Sequence, residues 1–325
     1  MNTSIFISLL LALTGCVHPS QNEYKAVYSF KDMPNSINIP DEKQDPYNMP
    51  GPFHVKAVIN QILTLAPMDQ VATDMFIPDQ NGSSPLIIIV HGNKFSKETH
   101  RSQAEFLASW GFHVLTVSLP NEKQWDRNGF RIKKIVSLLQ AVPSLVSPLI
   151  NTDKIILAGH SFGGSAVTIA AGLGTKVAGL ILLDPAVVSA DIPAYQKDLR
   201  QPVVLLGADR KVFISRLRDS FSKNIVAPFF ELTVKGATHS DAQMPTVAQN
   251  SFLGLDLTAT KEYQMTFKRL ILKTAISMTE DRIDKIPDLM LREQSSGNIT
   301  ILANRLDAKP SEAKTQFDIN AQEKL

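Results

Sequence analysis

Short continuous apolar runs alternate with stretches of helical spacing through most of this chain. The first two strands differ from the rest. His54 to Leu65 alternates as a strand should, and Gln70 to Ile77 forms a second, divided from it by the turn Pro67-Met68-Asp69. Leu86 to Val90, Phe112 to Val117, Lys154 to Ala158, Val177 to Leu183, Val203 to Leu206 and Phe229 to Val234 are then runs of Val, Ile, Leu, Ala and Phe. Such runs predict strands covered on both faces rather than strands with one wet side. Between them, Lys97 to Trp110 has helical spacing, and Phe130 to Leu139 puts Ile132, Ile135, Val136 and Leu139 on one face. Helical spacing returns from about 258 to 276. Buried strands alternating with helices predict one α/β domain with a mostly parallel sheet and helices on both faces, spanning 53–286.

The flanks read differently. Residues 17–52 are polar and carry six prolines, Pro19, Pro34, Pro40, Pro46, Pro50 and Pro52, so 16–52 is expected to be a tether or wrapping arm. Residues 287–325 are polar, with Gly297 and Pro310, and read as a C-terminal extension without an assigned role. At the other end, Ile5 to Leu13 is an apolar run of nine residues, too short to cross a bilayer as a helix but of signal-peptide length. Leu13-Thr14-Gly15-Cys16 resembles the lipobox of bacterial lipoproteins, and Cys16 is the single cysteine of the chain. The expectation is a signal peptide over 1–15, lipidation of Cys16, and anchorage in the cell envelope, the outer membrane being favoured by Val17. The formal net charge of +2 on 325 residues gives no reason to expect a nucleic-acid partner.

Against that frame one motif carries chemistry. Gly159-His160-Ser161-Phe162-Gly163-Gly164 contains Gly-x-Ser-x-Gly, a pattern expected on the order of 0.1 times by chance in a chain of this composition. It follows the apolar strand Lys154-Ile155-Ile156-Leu157-Ala158 and precedes the small-residue helix start Ala166-Val167-Thr168. A sharp strand-to-helix turn there would hold Ser161 strained, with its hydroxyl above the sheet. Side chains at Gly159 and Gly163 would collide with backbone, and the Phe162 N–H would face a developing oxyanion at a helix N-terminus.

In a hydrolase built on such a turn, the acid and then the base follow the nucleophile along the chain. Of seven histidines only His239 lies after Ser161, in a loop beyond the Phe229 to Val234 strand. His160 is expected to pack within the turn, His91 to support the loop after the first buried strand, and His18, His54, His100 and His113 to have no site role. Two residues qualify as the acid. Asp184 ends one buried strand and Asp209 the next, and local sequence does not separate them.

The pieces VHGN, GHSFGG, LLDPA and GATH, within Leu86 to Asp241, resemble the α/β-hydrolase branch of platelet-activating-factor acetylhydrolases, chlorophyllases and dienelactone-hydrolase-like esterases. The resemblance implies an α/β-hydrolase fold and a Ser-His-Asp ester hydrolase. It favours Asp184 as the acid, and it makes the Asn93 N–H, in the loop Val90-His91-Gly92-Asn93, the second oxyanion donor. Lipid or short acyl esters are the implied substrates, with no metal or organic cofactor called for. Transfer to another acceptor, polyester hydrolysis, or a lipid-anchored binding protein that kept the fold without turnover are the alternatives. Only 18 residues separate Pro185 from Pro202 inclusive, where relatives insert a cap, so an open site is expected. Phe95, Trp125, Phe162 and Phe213 are candidates for an acyl pocket, with core packing the first expectation for each.

Overall fold

The computed structural model describes residues 45–120, 125–209, 213–244 and 259–307. The expected signal segment, Cys16, most of the proline-rich arm and the tail around Pro310 lie outside the described residues. The described strands form one nine-stranded sheet in the order β1-β2-β4-β3-β5-β6-β7-β8-β9. They are β1 (Val55–Ala66), β2 (Asp69–Pro78), β3 (Ser84–Val90), β4 (His113–Ser118), β5 (Ile150–His160), β6 (Gly179–Leu183), β7 (Val203–Ala208), β8 (Phe229–Val234) and β9 (Ile299–Arg305). The pairs from β4 through β8 are parallel, while β1, β2 and β9 run antiparallel to their neighbours at the two edges.

The continuous apolar runs have the expected cause. Along β3, Leu86, Ile88 and Val90 face one core and Ile87 and Ile89 the other; along β5, Ile155 and Leu157 oppose Ile156 and Ala158. Every second residue is therefore buried on a different face. Helices α2 (Asp126–Ala141), α3 (Phe162–Gly172), α4 (Ile192–Lys197) and α5 (Phe213–Asn224) contribute to the first core. Helices α1 (Arg101–Ser109), α6 (Lys261–Thr279) and α7 (Ile286–Ser295) contribute to the second.

Two expected boundaries move. The α/β domain does not stop at 286: Ile286 and Met290 of α7 are fully buried, and β9 completes the sheet by pairing Ile299 with Val234 and Arg305 with Phe229. Residues 287–305 are thus part of the domain rather than an extension. At the other end, residues 45–52 are docked against it. Asp45 lies 3.3 Å from the Lys273 Nζ, Arg269 donates to the Asn48 side-chain oxygen at 2.9 Å, and the Gly51 N–H donates to the Ser109 hydroxyl at 2.8 Å. A Cβ at Gly51 would sit 2.3 Å from the Ser109 carbonyl oxygen, so only glycine permits this approach.

The segment between Pro185 and Pro202 starts against the Ser161 turn, where the Ala186 N–H donates to the Ser161 carbonyl, and then runs toward the far end of α3. It forms α4, whose Tyr195 backbone packs against Gly172 at the C-terminal end of α3. Ser161 precedes the other end of that helix, roughly 16 Å away at 1.5 Å per residue.

Candidate active site

Ser161 has φ 54° and ψ −122°, a backbone conformation costly for a side chain with a Cβ. Close packing enforces it. A Cβ on Gly159 would meet the Gly163 carbonyl oxygen at 2.4 Å, and one on Gly163 would meet the Val90 and His91 carbonyl oxygens at 2.5 Å. Gly164 must likewise be small, because a Cβ there would meet Pro185 at 2.6 Å. The Ser161 backbone is also pinned from both sides. Its N–H donates to the Leu183 carbonyl at 3.1 Å, and its carbonyl accepts from Gly164 and Ala186, each at 3.0 Å. Although Ser161 is the N-cap residue of α3, its hydroxyl makes no capping bond. Phe162 opens the helix, so its N–H has no acceptor within the helix and points to the positive end of the helix dipole.

The next strand end supplies the first of the two candidate acids. Asp184, directly after the Leu183 that binds Ser161, has φ 40° and is 1% exposed. Its Oδ2 accepts from the His239 Nδ1 at 2.6 Å. Its Oδ1 accepts from the Ala208 N–H at 3.0 Å and from the Arg218 Nη1 at 2.6 Å. Burial alone would raise this carboxyl, but the hydrogen bond and charge of His239, the Arg218 guanidinium and the Ala208 amide hold it below its ordinary value. The Nδ1–H tautomer of His239 leaves Nε2 as the ring's basic nitrogen.

Asp209 does something else. It is exposed, and its Oδ2 accepts from the Gly236 N–H at 3.2 Å. Gly236, at φ 74°, lies at the base of the loop that carries His239. That loop closes as a capping box in which the Asp241 carboxylate accepts from the Thr238 N–H at 2.6 Å and the Thr238 hydroxyl at 2.8 Å. Of the two candidate acids, the structure brings Asp184 to the imidazole and Asp209 to the loop's hinge.

His160 packs as expected and more. It is fully buried, its ring centroid is 4.4 Å from that of His239, and its Nε2–H donates to the His239 carbonyl at 3.0 Å. Burial, then the neighbouring His239 and His100, hold it well below the ordinary imidazole range, so it stays neutral beneath the base. His91 lies under the loop before Asn93. Its Nδ1–H donates to the Gly92 carbonyl at 2.7 Å and its Nε2 accepts from the Leu119 N–H at 2.9 Å. A Cβ on Gly92 would lie 2.9 Å from the Ser161 Cβ, so this loop rests directly on Ser161.

Three site features escaped the sequence reading. Trp125 is buried, with 3% exposure; its Nε1–H donates to the Asn93 side-chain oxygen at 3.0 Å, and its ring meets His91 and Phe162 edge-on. It therefore braces the loop that carries Asn93. Arg218, buried against the acid, carried no recognisable signal. Gly207 did carry one, as a glycine inside a buried strand: a Cβ there would meet the Arg218 guanidinium at 2.0 Å. Phe95 and Phe162 are half-buried, and the side chain of Phe213 is outside the described residues. Ser161 and His239 keep 6% of their surface each.

A strained serine between strand and helix, together with an Asp184–His239 pair from later strand ends, is the arrangement of the α/β-hydrolase class. The family model described as the alpha/beta hydrolase family matches residues 87–304, two thirds of the chain, and the chain belongs to that family. Membership supports hydrolysis as its general chemistry. No curated protein matches the chain.

Proposed function

We propose that this protein is a serine carboxylic-ester hydrolase acting through an acyl-enzyme. The observation that carries the reading is the 2.6 Å bond between Asp184 and the His239 Nδ1, made beside the strand residue that accepts the Ser161 N–H. His239 Nε2 takes the Ser161 proton as the hydroxyl oxygen attacks the ester carbonyl. Asp184 fixes the tautomer and stabilises the imidazolium. The Phe162 and Asn93 N–H groups hold the tetrahedral oxyanion, collapse expels the alcohol with the proton from His239, and water then repeats the sequence to release the acid.

The acid after β6 rather than after β7 supports kinship with the acetylhydrolase and chlorophyllase branch, and with it lipid or short acyl esters as substrates. Envelope anchorage through Cys16 is the matching proposal for where it acts, tested by palmitate labelling that Cys16→Ser abolishes. A fluorophosphonate probe tests the chemistry. Labelling of Ser161, lost in Ser161→Ala, together with turnover of an ester series graded by acyl length, is expected. An unreactive Ser161 in the folded protein would support a binding protein on a hydrolase fold.

A further inference from the structure

Arg218 stands out because a guanidinium is an unusual partner for an acid whose task is to stabilise a second cation. It is 8% exposed and comes from α5. Its Nη1 donates to Asp184 Oδ1 at 2.6 Å and to the Ala208 carbonyl at 2.9 Å, and its Nε lies 3.7 Å from Glu231 Oε1. Gly207 leaves the space the guanidinium occupies. The placement has two effects. It ties down one carboxylate oxygen, so the other is aimed at His239. It also puts a permanent positive charge across Asp184 from the imidazole, where a second positive charge must form during catalysis.

We propose that Arg218 is a positioning residue that sets the pH range of the site by sharing Asp184 with His239. The inference rests on the ester-hydrolase reading above and adds the control of its base. With Arg218 present, part of the Asp184 charge is already balanced, so the carboxylate supports a positive charge forming on the imidazole less strongly than it would alone. The other groups around the pair do not supply this control. His160, from β5 beneath the base, is neutral; its neighbour His100, 5.9 Å away ring to ring, is pushed down to about 4 by burial. Glu231 of β8 faces the far side of the guanidinium and also accepts from the Ser222 hydroxyl. Burial pushes the Glu231 carboxyl up, against Ser222 and Arg218. Asp241 is committed to the capping box and Asp209 to Gly236.

The test is the rate of Ser161 phosphonylation by a fluorophosphonate probe as a function of pH, in the wild type, Arg218→Met, Arg218→Lys and Gly207→Ala. Arg218→Met removes the charge; Gly207→Ala evicts the guanidinium and keeps the arginine, and it gives the answer should Arg218→Met fail to fold. In either variant the acid limb of the profile is expected to move up by about one pH unit, with Arg218→Lys closer to wild type. A slower reaction with an unmoved limb in a folded variant would show that Arg218 only supports the fold, overturning the inference and leaving the hydrolase reading intact. Wild-type protein whose Ser161 fails to label at any pH would overturn that reading, and the inference with it.

Discussion

Two neighbouring strand ends, β6 and β7, each place an aspartate one residue beyond a fully buried strand, and the two aspartates meet opposite fates. Asp184 is enclosed and shared among an imidazole, a guanidinium and an amide. Asp209 is exposed and accepts from the Gly236 N–H at the hinge of the histidine loop. What separates them is not the local chain but what reaches across from elsewhere: His239 after β8, Arg218 from α5, and the Ala208 N–H at the end of β7 itself. An acid of this type is identified by the donors that preorganise it, since a buried carboxylate without them would be neutral and useless to a base.

The comparison breaks first at Asp184→Asn. Loss of the carboxylate should lower kcat by about 10⁴-fold in folded protein by removing the correct tautomer and the imidazolium's partner. Ester turnover reads it, and a loss below tenfold would remove Asp184 from the mechanism.

A second buried acid sharpens the contrast by lacking any catalytic neighbour. Glu293 of α7 binds Arg269 through both oxygens, at 2.8 and 3.1 Å, and accepts from Asn298 at 3.0 Å. Burial pushes it up, but Arg269, Lys273 and Asn298 prevail and lower it from 4.5 to about 2. Its ionised form therefore stabilises the fold above pH 4.5, and that contribution is lost as pH falls from there toward 2. Glu293→Gln should cost about 3 kcal/mol near neutral pH, flatten that acid limb in denaturant titrations, and leave turnover per folded molecule unchanged. A kcat loss like that of Asp184→Asn would erase the distinction between the two acids.

The smallest effect belongs to Asp209→Asn. It weakens one exposed hinge contact, so kcat/KM should fall by no more than about threefold. A loss comparable to that of Asp184→Asn would reverse the assignment.

How much of this was legible in the sequence follows from where each signal resides. The central strands could be read because burial on both faces leaves continuous apolar runs. The elbow could be read because its glycines are demanded by local backbone contacts. Helix α2 begins four residues before the expected Phe130, at Asp126, because Gly129 looks like a breaker; in the fold it lets α2 approach α3, where a Cβ would meet Ile169 at 2.4 Å. Strand β9 was missed because it is an edge strand whose residues alternate between core and solvent, with Asn304 and Arg305 at its end. Arg218 could not be found at all, since a charged residue in a mixed helix reads as solvent-facing until the strand-end aspartate and Gly207 are seen beneath it. Local sequence did not separate Asp184 from Asp209; the resemblance favoured Asp184, and the fold sets that side chain against His239.

Trapping the covalent intermediate tests the central claim most directly. Mixing the protein with a chromogenic short-chain ester and quenching in acid should give a burst of leaving group approaching one equivalent. Mass analysis should find the acyl group on the peptide bearing Ser161. Undiminished turnover in Ser161→Ala, or acylation found only at another residue, would contradict it.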